Sequence, residues 1–209
     1  YNRGRLLRLQ GKYDEAVADL EKSADLSPVD FGYRANGNIG LIYYTQGEYV
    51  KALAAFNKSI SANVENKADV YYFRGETYTA MNNWEAAIQD YETAVERFAN
   101  YAEAYRSLGY VYLRSGQLPQ AEQALNKSLD IAADHPEAYL YLSLVKLADG
   151  QPNEAESSMQ KAVSRLETLS TEQQKLALGR VNEAIEAFAK ENPDKSSQVE
   201  QLLKLLPGQ

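Results

Sequence analysis

The sequence predicts an all-α fold, a right-handed α-solenoid of paired helices closed by C-terminal capping helices. Three observations carry this. Alanines in matching settings stand at Ala16, Ala52, Ala87, Ala121 and Ala155, at intervals of 36, 35, 34 and 34 residues. Five residues before each is a turn-former: Gly11, Gly47, Asn82, Gly116 or Gly150. Upstream, a second series of small residues (Gly4, Gly40, Gly75, Gly109 and Ser143) keeps the same rhythm. A fixed period of this length is the signature of stacked supersecondary units, each unable to bury its apolar face alone.

Within each unit the first helix is read from its small residue. Three residues beyond it come Leu7, Tyr43, Tyr78, Tyr112 and Lys146; four before it come Asn36, Tyr71, Tyr105 and Tyr139 in the last four units. The second helix opens near Tyr13, Tyr49, Trp84, Leu118 or Pro152. Four residues past its alanine stand Leu20, Phe56, Tyr91, Leu125 and Met159, and seven past it Ser23, Ser59, Ala94, Ser128 and Ala162. Offsets of 3, 4 and 7 mark one face of an α-helix. The Gly or Asn between the helices suits a left-handed cap. Glycine within a helix costs about 1 kcal/mol relative to alanine. Its recurrence in four copies therefore predicts a contact that a larger residue would block.

Residues 170–209 leave the repeat. Ser170, followed by Glu172 and Gln173, predicts a helix N-cap. Val181, Ile185 and Phe188 give an apolar stripe that stops before Pro193, and Val199, Leu202, Leu203 and Leu206 predict a short last helix. These helices read as a cap, with a partner-binding element as the alternative. The expected organisation is five repeats over 1–169, with Tyr1 already inside the first helix, and capping helices over 170–209.

The fourth copy, "EAYRSLGYVYLRSGQLPQAEQALNKSLDIA", resembles the tetratricopeptide repeat in Tyr105, Leu108, Gly109, Tyr112, Ala121, Leu125 and Ser128. The resemblance covers about residues 1–169. There are departures: the closing proline is Pro28 in the first copy but Val64, Ala99, Ala133 and Glu167 afterwards, and the fifth copy has Ser143 and Lys146, with a second helix expected to run toward Leu169. The resemblance implies a non-catalytic scaffold whose first helices line a concave groove for a peptide or partner segment. Offsets then assign Arg34, Asn38, Tyr72, Phe73, Glu76, Arg106, Tyr110 and Arg114 to that groove, with Tyr72, Phe73, Arg106 and Tyr110 as central contacts. The competing use of the tyrosines is packing between adjacent repeats. The family's clamp for chaperone tails is not expected, because Tyr1, Arg5, Asn38, Asp69 and Phe73 occupy its places and only Asn38 agrees. The alternative function is the regulatory or sensory portion of a longer multidomain protein.

Chemistry is sparse. There is no cysteine and one histidine, His135, expected exposed in a turn before Pro136. The usual nucleophile and base pairs cannot be assembled, and the expectation is no enzyme, no cofactor and no metal. Glu154 with Glu156 and Glu183 with Glu186 read as solvated. "GNIG" at 37–40 lies inside a helix and is no phosphate loop. "NKS" at 57–59 and 126–128 falls at one repeat position, so packing explains its serines better than glycosylation. Arg3, Arg5, Arg8 and Lys12 read either as a solvated face or as a surface for an acidic partner. A net charge of −7 argues against nucleic acid. No apolar run reaches the 18 residues of a membrane span. A monomer with weak self-association is expected, in cytoplasm or periplasm.

Overall fold

Every predicted break between paired helices is a left-handed residue: Gly11, Gly47, Gly116 and Gly150 have φ of 73°, 75°, 75° and 77°, and Asn82 has 56°. At each break the following amide reaches back five residues. Lys12, Glu48, Asn83, Gln117 and Gln151 donate to the carbonyls of Leu7, Tyr43, Tyr78, Tyr112 and Lys146 at 2.8–2.9 Å. This satisfies the carbonyls a helix end would otherwise leave orphaned.

The computed structural model describes residues 1–62 and 67–207, apart from the side chains of Val29 and Asp30. Val64 lies outside the described residues. The helices so joined are α1 (Asn2–Leu9) with α2 (Tyr13–Leu26), α3 (Tyr33–Thr45) with α4 (Tyr49–Ser61), α5 (Ala68–Ala80) with α6 (Trp84–Arg97), α7 (Ala102–Arg114) with α8 (Leu118–Ile131), and α9 (Pro136–Ala148) with α10 (Pro152–Leu166). α11 (Thr171–Glu191) and α12 (Ser196–Leu203) follow, with short turns of helix at Pro28–Gly32 and Pro193–Lys195. The described residues contain no strand. They form two compact units, Tyr1–Ala99 and Asn100–Gln209.

The recurring first-helix glycines meet the contact the sequence demands. A β-carbon on Gly40 would lie 2.5 Å from Phe56, on Gly75 2.8 Å from Tyr91, on Gly109 2.5 Å from Leu125 and on Gly4 2.8 Å from Leu20. Each large residue of the second helix fills the space its glycine leaves. In the fifth pair Ser143 stands there, and its buried hydroxyl donates to the Ala155 carbonyl of the facing helix at 2.8 Å. Lys146, in the usual tyrosine place, joins Glu122 of α8 at 2.7 Å and Glu154 of α10 at 3.2 Å.

The serines of both "NKS" stretches are fully buried. Ser59 Oγ donates to the Tyr33 carbonyl at 2.7 Å and Ser128 Oγ to the Ala102 carbonyl at 2.8 Å, each tying a second helix to the start of the first. Two expectations need correction. His135 is half-buried, because it forms the N-cap position of α9 with Pro136 opening the helix. The second helix of the fifth pair ends at Leu166, since Ser170 begins a capping box with Gln173 that starts α11.

Candidate partner-binding faces

In the unit Tyr1–Ala99, the first-helix side of α1, α3 and α5 holds a cavity of about 480 Å³. Arg5, Arg8, Arg34, Asn38, Leu41 and Phe73 line it, together with a single acid, Asp69. Arg8 Nε donates to Asn38 Oδ1 at 3.1 Å, while Asn38 Nδ2 donates to the Arg34 carbonyl at 2.8 Å. The two bonds fix the amide's orientation. Arg34 Nε donates to the Tyr33 hydroxyl at 2.6 Å. Arg5 lies 5.6 Å from the Tyr1 ring centre. Asp69 Oδ1 accepts from the Val70 amide at 2.9 Å, at the start of its own helix.

Three sequence-predicted residues, Arg34, Asn38 and Phe73, thus line one cavity. Tyr72 and Glu76 are not among its lining residues and make contacts within the unit. The Tyr72 ring packs against Phe73 at 5.1 Å and Tyr91 at 5.9 Å between centres. Glu76 Oε1 accepts from the Tyr91 hydroxyl at 2.6 Å, and Thr79 Oγ1 lies 3.0 Å from that hydroxyl oxygen. Burial, aided by the Glu76 charge, pushes the Tyr91 hydroxyl well above its usual pKa, so it stays a donor. A buried phenol needs such an acceptor. Glu76 therefore anchors the residue that fills the Gly75 contact.

In the unit Asn100–Gln209, Arg106 Nη1 lies 3.8 Å from Glu137 Oε2. The Tyr110 and Tyr141 ring centres lie 4.9 Å apart, with the planes tilted by 35°. Arg114 donates through Nη1 to the Tyr110 hydroxyl and through Nη2 to Glu191 Oε1, both at 2.7 Å. Arg106, Tyr110 and Arg114 share one face of α7, as the offsets predict, but this face is occupied. The corresponding residues of α9 (Leu140, Tyr141, Leu144 and Leu147) are all buried, whereas Asn38, Leu41, Phe73 and Tyr110 at the same offsets are half-buried. α11 packs along α9, and Arg180 of α11 meets Glu137 at 3.5 Å.

Two features escaped the sequence reading. Arg74 pairs with buried Asp90 through Nε at 2.7 Å and Nη2 at 2.5 Å, and with Asn57 at 2.6 Å. Arg3 and Asp19 form the equivalent pair in the first repeat. Both pairs are sixteen residues apart at one repeat register, a signal present in the sequence. Lys67 is 3% exposed and donates to the carbonyls of Ser59, Ile60 and Ala62, placing a cation on the C-terminal end of α4.

A tetratricopeptide repeat family model matches residues 1–63, 33–100, 66–134 and 100–168. The chain belongs to the tetratricopeptide repeat family. Its similar curated proteins include the TPR repeat-containing thioredoxin TTL4 of Arabidopsis thaliana, 27% identical over 125 residues, covering 60% of this chain and 17% of that protein. Another is tetratricopeptide repeat protein 14 of Mus musculus, 29% identical over 89 residues, covering 42% and 12%. The chain thus spans under a fifth of either. Among solved structures it is similar to MamA (26% identity, TM-score 0.71, 78% of this chain and 94% of that one). It is also similar to YrrB, described as a TPR protein with an unusual peptide-binding site (22% identity, TM-score 0.69, 86% and 88%). At 22% identity this second likeness carries the fold alone. Tetratricopeptide repeat proteins are generally protein-interaction scaffolds, and the fold is typically non-catalytic. Among the described residues no cluster of His, Cys, Asp or Glu could hold a metal ion, and no helix is long and apolar enough to cross a membrane.

Proposed function

We propose that the chain is a non-catalytic scaffold that binds an extended acidic peptide segment on the first-helix face of residues 1–99. One observation carries this: the cavity there is lined by three cations, Arg5, Arg8 and Arg34, against one acid, Asp69, in a chain of net charge −7. The positive charge is local, so it steers a negatively charged segment to this face. Phe73 and Leu41 offer apolar contact beside it. Arginine and aromatic residues are the side chains most often found as binding anchors. Cytoplasm and periplasm both suit such a scaffold, and nothing in this surface calls for a cofactor or for nucleic acid. The small share of TTL4 and of the mouse protein that the chain spans supports a second reading: the same scaffold serves as the recognition or sensory portion of a longer protein.

The test is selection of displayed random twelve-residue peptides on the full chain. The peptides retained should be rich in Asp and Glu. Phe73→Ala should weaken them about thirty-fold, the loss typical of removing an anchor worth about 2 kcal/mol. Retained peptides without acidic enrichment, or equal binding to Phe73→Ala and to Arg8→Glu with Arg34→Glu, would overturn the reading.

A further inference from the structure

The helix α11 does not repeat the pattern of the first helices before it. It has 21 residues against 13 in α9. Two contacts fix its course. Arg180 meets Glu137 at the start of α9, and eleven residues later Glu191 meets Arg114 at the end of α7. Eleven residues of helix span about 16 Å. α11 therefore runs obliquely over the face that α7 and α9 present, the face on which tetratricopeptide sequences place groove residues. Its buried stripe is Ala177, Val181, Ala184, Ile185 and Phe188, and it packs along α9, where Leu140, Tyr141, Leu144 and Leu147 are all buried. This is the geometry of an amphipathic helix laid in an apolar groove.

Several features set α11 apart from the repeat helices. Gly179 stands mid-helix, yet a β-carbon there would meet nothing within 4 Å. Unlike Gly109, it is required by no contact, and glycine is a poor helix former. Leu176 is 61% exposed. Glu191 and Arg180, the two end anchors, keep about half of their side chains in solvent (49% and 51%). Beyond α11, α12 meets α10 beside a cavity of about 230 Å³.

We propose that the α7–α9 face is a helix-binding groove and that α11 is its resident, displaceable ligand. The partner in trans is an amphipathic helix carrying an apolar stripe spaced like that of α11, with an arginine or lysine near its middle and a carboxylate eleven residues on. This surface is separate from the Arg-lined face of residues 1–99, so either proposal stands if the other fails.

The probe is a labelled synthetic peptide of residues 170–192 added to the full chain. Hydrogen exchange should show α11 amides opening at least thirty-fold more often than those of α9 and α10. The peptide should bind the Ile185→Asp, Phe188→Asp chain at least ten-fold more tightly than the unaltered chain, because the cis helix no longer competes. Gly179→Ala, which strengthens α11 in cis, should lower peptide binding about five-fold. A peptide bearing Glu191→Lys should bind more weakly and recover on the Arg114→Glu chain. The proposal is overturned if α11 exchanges only together with α9 and α10, if the peptide binds the altered chain no better than the original, or if Ile185→Asp, Phe188→Asp abolishes the protection of α7 to α10, which would make α11 an integral part of the core.

Discussion

The two units carry the same repeat frame and opposite groove faces. In residues 1–99 the first-helix face is half-buried, basic and open; in residues 100–209 the equivalent positions of α9 are buried and α11 packs along that helix. The frame positions barely differ: Gly75 faces Tyr91 and Gly109 faces Leu125 with the same lack of room. Stacking and the proposed binding thus draw on different residues of one helix. The small residue and its neighbours at three and four set the stacking. The residues two before and one after are those to which the proposed binding assigns the choice of partner.

The largest expected effect tests the shared frame. Gly75→Leu and Gly109→Leu should each destabilise the chain by about 1–3 kcal/mol through overpacking, seen as a clear drop in melting temperature. A drop for one and not the other would break the equivalence of the two units. Next come Ser59→Ala and Ser128→Ala, which leave the Tyr33 and Ala102 carbonyls short of one buried donor. Each should cost about 1 kcal/mol in denaturant unfolding, with the two losses alike.

A smaller effect sharpens the difference. Lys146 stands where Tyr43, Tyr78 and Tyr112 stand in other repeats, and its hydrogen bond to Glu122, aided by Glu154, raises its pKa above the usual lysine value. A raised lysine pKa in the folded state stabilises fully below the unfolded value and loses that contribution as pH rises through the folded one. Unfolding of the unaltered chain should therefore ease at strongly alkaline pH, and Lys146→Met should flatten that part of the profile. Smallest of all, Glu103→Gln on an exposed helix start should leave the melting temperature unchanged.

The frame was legible because backbone contact leaves it few choices. A glycine against Phe56, or an alanine fully buried beneath a neighbouring helix, cannot vary without loss of stacking. Even Ser143 obeys, since its hydroxyl finds the Ala155 carbonyl. The faces were legible only in part. The offsets brought Arg34, Asn38 and Phe73 together, but nothing in a spacing tells an apolar groove from one already filled. The run Leu140, Tyr141, Leu144 and Leu147 was the available sign, being far more apolar than Gly37, Asn38, Leu41 and Tyr44. The offsets put Glu76 on the groove side but gave no sign of its hydrogen bond from Tyr91, and Lys67 escaped because its partners are backbone carbonyls, which carry no sequence signal.

The contrast between an open face and a filled one is tested most directly by the hydrogen-exchange footprint of a selected acidic peptide on the full chain. The expected result is slowed exchange along α1, α3 and α5, with α2, α4 and α6 unchanged and α11 opening as often as before. Slowed exchange on α2, α4 and α6, or a footprint confined to α7, α9 and α11, would contradict it.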